Sequence, residues 1–150
     1  QTFVLKRELL KLPFFGWGLS LLEPIAIDRG SGRQAIKQVV DQGQEKLEQG
    51  IWVVVFPEGT RMPPGEMGQI KPGAAMLAKK AQHPVYCVAH NAGQCWPKGQ
   101  FVKRPGVIDI YISKPIDVAE HSISDLNEIT KEWFYSHATM EHSSGEGKTN

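Results

Sequence analysis

The chain has 150 residues, of which 41% are hydrophobic, and its 17 basic and 16 acidic side chains give a net charge of +1 at pH 7. This length fits one domain with a sizeable core. The balanced charge gives no strong field that would point to nucleic acid, apart from local clusters, and we expect no nucleic-acid partner. Two cysteines are too few for a disulfide framework, which weakly favours a reducing compartment.

The N-terminal region predicts two short strands with an apolar segment between them. Residues 2–5 are β-rich, and Ile25 and Ile27 alternate along a second strand that ends in a charged turn. The segment LPFFGWGLSLL (12–22) is about half the roughly 20 residues that a membrane-spanning helix needs, so we expect no transmembrane helix. This segment has two interpretations, contact with a bilayer or ordinary core packing. The side chains concerned are Phe14, Phe15, Trp17 and Leu21.

The middle of the chain predicts a helix, a strand and a second helix. Between residues 31 and 49 the apolar side chains share one face at helical spacing, with Ser31 as a cap and Gly50 as a stop. Residues 51–56, IWVVVF, lack polar alternation, which predicts a strand covered on both faces. Residues 71–81 open with a proline and predict the next helix.

The C-terminal region adds two strands and a helix. Residues 83–91 predict a strand, 92–106 a long polar loop and 107–113 a half-exposed strand, and Ser124 or Asp125 is expected to cap a helix that reaches His137. The element order predicts an α/β fold with a mostly parallel central sheet and helices on both faces, in one domain over residues 1–137. Residues 138–150 are polar and rich in glycine and serine, which predicts a disordered tail.

Two strand ends carry the residues that could bind a ligand, because ligands of parallel α/β sheets lie beyond the carboxyl ends of the strands. IDRG (27–30) follows one strand and PEGTR (57–61) follows another. One helix joins these strands, so we expect them to lie side by side and to bring Arg29 and Arg61 together, as paired guanidiniums suit a phosphate. Gly59 would let the backbone approach the ligand. Thr60 would donate a hydrogen bond, and Glu58 would accept one from a substrate hydroxyl or hold an arginine.

The two strand ends and the basic loop after residue 95 each have a simpler interpretation than ligand binding. The two strand ends could form surface turns with Asp28–Arg29 or Glu58–Arg61 ion pairs. The loop WPKGQFVKRPG (96–106) could meet anionic headgroups or a CoA phosphate, or it could be a solvated basic loop. Its aromatic and basic residues are Trp96, Lys98, Lys103 and Arg104.

Four segments in order resemble the sequence blocks of the glycerolipid acyltransferases, the 1-acylglycerol-3-phosphate acyltransferase (PlsC-like) family. FPEGTR (56–61) resembles the third block, IAIDRG (25–30) the second, and HPVYCVAHNAG (83–93) the fourth. KRELLKLPFFGWGL (6–19) is similar to the segment before the second block in bacterial members. The resemblance covers roughly residues 3 to 118.

The resemblance implies transfer of a fatty acyl group from acyl-CoA or acyl carrier protein to the sn-2 hydroxyl of 1-acylglycerol-3-phosphate (a lysophosphatidic acid), giving phosphatidic acid. It implies that Arg29, Arg61 and Lys6 bind the acceptor phosphate and that residues 58–60 shape the acceptor pocket. No cofactor is implied beyond the acyl donor, and no ligand spacing indicates a metal site. The whole protein is then expected at the cytoplasmic face of the inner membrane.

The family's first block, His-x-x-x-x-Asp or Glu, does not occur in this sequence. The five histidines are followed five positions on by Val88, Cys95, Leu126, His142 and Gly147. We therefore expect the sequence to begin after that block, with no catalytic residue in this chain and little or no acyltransferase activity from it. His90 is a conceivable substitute base, although a structural hydrogen bond is the simpler interpretation. The alternative function is a non-catalytic lipid- or phosphate-binding module.

Overall fold

The computed structural model describes residues 1–63 and 66–138. Its centre is a three-stranded parallel sheet of β1 (Thr2–Lys6), β2 (Ile25–Ile27) and β3 (Val53–Val54), in the order β2-β1-β3. The predicted α/β fold with a parallel sheet is confirmed.

The strands β2 and β3 are not neighbours, and the prediction that they lie side by side is wrong. In the sheet, β1 separates them: Val4 pairs with Ile25 on one side, and Thr2 pairs with Val53 on the other. Val4 and Leu5 point to opposite faces of the sheet and both are buried, so β1 has the apolar surface that a central strand requires.

Helices complete the core around this sheet. In the main cluster, residues of β1 and β2 pack with those of α2 (Arg33–Glu48) and with Leu77 of α3 (Gly73–Ala81). A second cluster joins α3 to α5 (Ile123–Ala138), where Leu126 is fully buried. These two clusters hold α3 between α2 and α5.

The strand predicted over residues 51–56 is shorter and more exposed than its apolar sequence indicated. The ladder covers only Val53–Val54, and Trp52 is 65% exposed, with its ring centroid 5.5 Å from that of Tyr86. The prediction of a strand covered on both faces is wrong. Within the described residues β3 pairs only with β1, so it lies at an edge of the sheet.

A separate antiparallel pair was not predicted from the sequence. Its strands are β4 (Val88–His90) and β5 (Ile110–Ile112), and all three residues of β5 are exposed. Between them, the predicted polar loop contains a short helix, α4 (Ala92–Cys95).

Two predicted helix caps are displaced. The residue before α2 is Gly32, whose φ is +51°, while the Ser31 hydroxyl donates to the carbonyl of Asp28. At α5 the cap is Ser122: its Oγ accepts from the N–H of Asp125 at 3.2 Å, and the Asp125 carboxylate accepts from the N–H of Ser122 at 2.9 Å. This reciprocal pair is a capping box. The tail predicted from residue 138 lies, from 139 onward, outside the described residues.

The apolar segment before β2 lies on the surface. Residues 7–11 form a 3-10 turn, and α1 (Phe15–Ser20) follows it. Phe14 is 80% exposed, and Leu21 is 84% exposed. The rings of Phe14 and Trp17 meet edge to face with centroids 5.2 Å apart. Ordinary core packing is therefore wrong for these side chains. Within residues 1–63 and 66–138, no helix has both the length and the apolar character needed to cross a bilayer.

Candidate functional site

The candidate site lies at the carboxyl edge of the parallel sheet. Because the three strands are parallel, the residues that follow each of them leave the sheet at the same edge. Lys6 ends β1, Asp28 and Arg29 follow β2, and the 57–61 loop, PEGTR, follows β3. The two predicted ligand-binding segments therefore share an edge although their strands are not adjacent.

A direct hydrogen bond joins the two segments. The Asp28 carboxylate accepts from the N–H of Gly30 at 2.9 Å, which shapes the turn that carries Arg29. Nη1 of Arg29 then donates to the carbonyl oxygen of Gly59. A guanidinium has five N–H donors, so others stay available for a ligand. Arg29 thus holds the 57–61 loop and can still bind an anion.

The backbone of the 57–61 loop depends on Gly59. Its φ is +68°, in the left-handed region, and its N–H donates to the carbonyl of Phe56 at 3.0 Å. The loop is also held by the N–H of Lys71, which donates to the carbonyl of Pro57 at 3.0 Å. A Cβ atom on Gly59 would lie 3.0 Å from Nζ of Lys71. The glycine therefore allows the close approach of a cationic side chain that the sequence analysis did not identify.

Glu58 stabilises the loop from the other side. Its Oε1 accepts a hydrogen bond from the N–H of Gly68 at 2.8 Å, in a half-buried position. In the described ranges, no ion pair joins Glu58 to Arg61 or Asp28 to Arg29. The interpretation of the two segments as turns closed by ion pairs is therefore wrong, and the Arg61 side chain is exposed.

Lys98 reaches the same loop from a distant part of the chain. Its Nζ donates to Oγ1 of Thr60 at 3.3 Å and to the carbonyl of Arg61 at 3.4 Å. The sequence analysis named Lys98 only as a cation of a basic loop. Exposed loops have no periodicity that would place them in space, so no signal in the sequence connected Lys98 with Thr60.

Lys6 stands apart from this cluster. It forms an ion pair with Glu8 at 3.4 Å, and both side chains are about half exposed. In the described part of the chain, no hydrogen bond connects Lys6 with Arg29 or the 57–61 loop. The structure thus brings together Arg29, Glu58, Gly59, Thr60 and Arg61, and it leaves Lys6 at the same edge with an acidic partner.

The nucleophile and base candidates near the site have structural partners. Nδ1 of His90 accepts from the N–H of Ala92 at 3.3 Å, which is the structural hydrogen bond of the simpler interpretation. Cys87, one residue before β4, is buried, and this burial raises the pKa of its thiol. A protonated, enclosed thiol is a poor nucleophile. Both side chains thus have a structural environment within the described residues.

The electrostatic character of the edge is clear from its four cations. Arg29, Arg61, Lys71 and Lys98 lie around one five-residue loop in a chain whose net charge is only +1. Guanidinium and ammonium groups next to a glycine-containing loop can bind an anion with several oxygens, such as a phosphate monoester. Fold and site together define an α/β domain with a cationic loop at the carboxyl edge of its parallel sheet.

Known proteins that are similar to this chain agree with this class of fold and identify the family of the chain. A sequence model of the acyltransferase family matches residues 1–91, so the chain belongs to that family. A relative from Pseudomonas aeruginosa, a 1-acyl-sn-glycerol-3-phosphate acyltransferase, is 49% identical over 133 residues, which are 87% of this chain and 52% of the relative. A protein of the same description from Limnanthes alba is 27% identical over 85% of this chain and 46% of its own length.

A solved structure shows the same fold. The crystal structure of the 1-acyl-sn-glycerophosphate acyltransferase PlsC from Thermotoga maritima superposes with a TM-score of 0.72 at 28% identity, over 91% of this chain and 55% of that one. The chain thus spans about half the length of the relatives that it matches.

Proposed function

We propose that this chain is the acceptor-binding part of a 1-acylglycerol-3-phosphate acyltransferase. The reaction moves a fatty acyl group from acyl-CoA or acyl carrier protein to the sn-2 hydroxyl of a lysophosphatidic acid and gives phosphatidic acid. The observation that carries the proposal is the hydrogen bond from Arg29 to Gly59, because it joins two cationic segments at one edge of the sheet.

The acceptor phosphate is proposed to lie between Arg29 and Arg61. Arg29 is oriented by Gly59 and the Arg61 side chain is exposed, so both can turn N–H donors to the same phosphate. Lys98 and Lys71 add positive charge at the loop. Lys6 would join the phosphate only by leaving Glu8, which makes it the weakest member of the proposed set.

The acyl transfer itself needs a base on the acceptor hydroxyl. In the proposed reaction the hydroxyl oxygen attacks the thioester carbonyl, a C–O bond forms and the C–S bond breaks. The base takes the hydroxyl proton and returns it to the departing thiolate, so the donor leaves as its thiol. No histidine of this sequence has the His-x-x-x-x-Asp or Glu spacing, so the proposed base lies outside these residues. No cofactor is needed beyond the donor.

The acceptor is a lipid, so the proposal places the protein at a membrane surface. The exposed aromatic residues of α1, with Phe14 and Trp17 in contact, support this because such side chains favour the bilayer interface. The cytoplasmic face of the inner membrane is proposed, since acyl-CoA and acyl carrier protein are soluble cytoplasmic donors.

A non-catalytic phosphate- or lipid-binding module is the second candidate. The absence of the His-x-x-x-x-Asp or Glu pattern from the sequence favours it. The two candidates share the binding site and differ only in the transfer step.

The test measures acceptor binding and acyl transfer separately. Calorimetric titration of this chain with a short-chain, monomeric 1-acylglycerol-3-phosphate gives the affinity. A charge-assisted hydrogen bond contributes about 1.5–3 kcal/mol, so Arg61→Ala and Arg29→Ala should each weaken binding at least about tenfold. Lys114→Ala removes an exposed cation two residues after β5, which forms no hydrogen bond or ion pair with the 57–61 loop among the described residues, and should leave the affinity unchanged.

The transfer step is then measured in a longer form of the protein that includes a His-x-x-x-x-Asp or Glu block, with a labelled acyl thioester. Formation of labelled phosphatidic acid supports the enzyme, and binding without transfer supports the module. Equal affinities of Arg61→Ala, Arg29→Ala and the unaltered chain would reject the proposed acceptor site in both.

A further inference from the structure

The loop of residues 96–104, here the WPK loop, has a defined shape. The indole Nε1–H of Trp96 donates to the carbonyl of Gln100 at 2.7 Å, and the N–H of Arg104 donates to the carbonyl of Cys95 at 2.8 Å. Nζ of Lys103 lies 4.6 Å from the centroid of the Trp96 ring, a cation–π contact. These contacts close the loop on itself, so its outward-facing side chains have a fixed position.

The tip of the WPK loop is apolar and fully open to solvent. Phe101 is 97% exposed and Val102, its neighbour, is 72% exposed. Lys103 and Arg104 follow directly. An apolar tip with cations at its base matches a bilayer surface, where apolar side chains enter the acyl boundary and cations meet lipid phosphates.

The opposite side of the same loop touches the candidate site. Lys98 contacts Thr60 and the Arg61 carbonyl, and Phe101 is three residues further along. Three residues span at most roughly 11 Å, so the Cα atom of Phe101 lies within that distance of the Cα atom of Lys98. The headgroup layer of one leaflet is about 5–8 Å thick. The loop is therefore long enough for a lipid phosphate to bind at this edge while the apolar tip enters the acyl boundary of the same leaflet.

We propose that the WPK loop docks on an anionic lipid surface, with Phe101 and Val102 in the acyl boundary and Lys103 and Arg104 at lipid phosphates. The loop would fix the depth of the phosphate-binding edge so that a lipid acceptor reaches it without leaving the leaflet. This inference rests on the proposed function for its acceptor, but the docking itself requires no acyl transfer.

The experiment is partition of this chain onto vesicles, measured by flotation. Vesicles of phosphatidylcholine alone are compared with vesicles that also contain phosphatidylglycerol. The double variant Phe101→Ser/Val102→Ser should lower the partition coefficient on the anionic vesicles about tenfold or more, as expected for loss of an apolar anchor. Lys103→Gln/Arg104→Gln should remove most of the preference for the anionic vesicles. The control Ile112→Ser changes an apolar residue of β5 that is 67% exposed and should partition as the unaltered chain does.

Two further measurements separate this inference from the proposed function. The affinity for a monomeric short-chain 1-acylglycerol-3-phosphate should be unchanged in Phe101→Ser/Val102→Ser and weakened in Arg61→Ala, whose vesicle partition should stay normal. Circular dichroism establishes that each variant is folded. Unchanged partition of the Phe101→Ser/Val102→Ser variant would overturn the inference. The inference would also be overturned if sedimentation showed that the tip joins two copies of the chain and if substitution of the tip left vesicle binding unchanged.

Discussion

Arg29 donates a hydrogen bond from Nη1 to the carbonyl oxygen of Gly59, 30 residues further along the chain. The two residues follow strands that are separated by β1, so the contact passes across the end of the central strand. The guanidinium therefore orients the 57–61 loop in addition to carrying charge. A change in the backbone at Gly59 should reach the side chains proposed to bind phosphate through this contact.

Gly59→Ala should weaken both the fold and the proposed phosphate binding. A non-glycine residue in the left-handed region costs roughly 1–2 kcal/mol, and the new Cβ would lie 3.0 Å from Nζ of Lys71. Gly50→Ala is the matched control, because Gly50 has φ +74° but no atom within 4 Å of the added Cβ. Urea unfolding and calorimetric titration with glycerol 3-phosphate measure the two effects.

The two glycine variants should lose similar free energy of unfolding, and only Gly59→Ala should lose affinity for the phosphate ligand. Equal affinities of both variants would show that the backbone of the 57–61 loop does not shape the site.

Lys98→Gln should weaken binding of a phosphate ligand severalfold without lowering the melting temperature. Both oxygens that Lys98 contacts are exposed, at 3.3 and 3.4 Å, so its loss should cost little stability, whereas its charge adds to a cluster of four cations. Lys114→Gln is the control for an equal change of net charge. If salt abolishes the difference between the two variants, long-range attraction rather than contact explains the effect.

The positions of the two candidate segments after strands could be predicted from sequence, but their spatial partners could not. The strand ends can be recognised because the apolar runs change to charged residues at IDRG and at PEGTR. This change lies within each segment and needs no knowledge of the rest of the fold. The order β2-β1-β3 is not local, because it depends on which strand has two apolar faces to bury. The contact of Lys98 with Thr60 joins residues 38 apart through an exposed loop, and no periodicity encodes it.

The burial of two apolar segments could not be predicted from their composition alone. The apolar run at 51–56 predicts a covered strand, yet Trp52 is on the surface because β3 has one neighbour within the described sheet. In α1 the sequence analysis left core packing and bilayer contact open, and the exposure of Phe14 and Leu21 excludes the first. Apolar composition states what a segment can bury, whereas the neighbouring elements decide what it does bury.

Two glycines of α1 should respond oppositely to the same substitution. A Cβ on Gly16 would lie 2.3 Å from the carbonyl oxygen of Leu10, and backbone atoms cannot move aside cheaply. Gly16→Ala should therefore cost about 3 kcal/mol, the upper range for overpacking. Gly18 has no atom within 4 Å of an added Cβ, so Gly18→Ala should stabilise α1 by about 0.5–1 kcal/mol through helix propensity. Urea unfolding of both variants measures this difference, and a neutral Gly16→Ala would mean that α1 does not pack against residues 9–10.

The capping box of α5 should make part of the stability depend on pH. Hydrogen bonds from the backbone and then the side chain of Ser122, with a smaller contribution from His121, hold the pKa of the Asp125 carboxyl below its usual range. A carboxyl whose pKa is lower in the folded than in the unfolded state stabilises the fold above its unfolded pKa of about 3.9. This contribution is lost as the pH falls through the folded pKa. Asp125→Asn should therefore lower the melting temperature at about pH 7 and have a much smaller effect at about pH 3.

Ser122→Ala removes the N-cap hydroxyl, keeps the Asp125 carboxylate with its backbone hydrogen bond, and removes only the smaller side-chain contribution to the lowered Asp125 pKa. Loss of the N-cap hydroxyl costs about 1 kcal/mol, or roughly 3 °C in melting temperature for a chain of this size. The hydroxyl does not titrate, so most of this loss should persist at about pH 3, whereas that of Asp125→Asn should not. The carboxylates of Glu23 and Asp41, whose pKa values are lowered by hydrogen bonds from Lys46 and Lys37, titrate equally in both variants and cancel in the comparison. If Asp125→Asn lowered the melting temperature equally at about pH 7 and about pH 3, the charge of the carboxylate would not contribute to the cap. The cap would then depend on hydrogen-bond geometry alone.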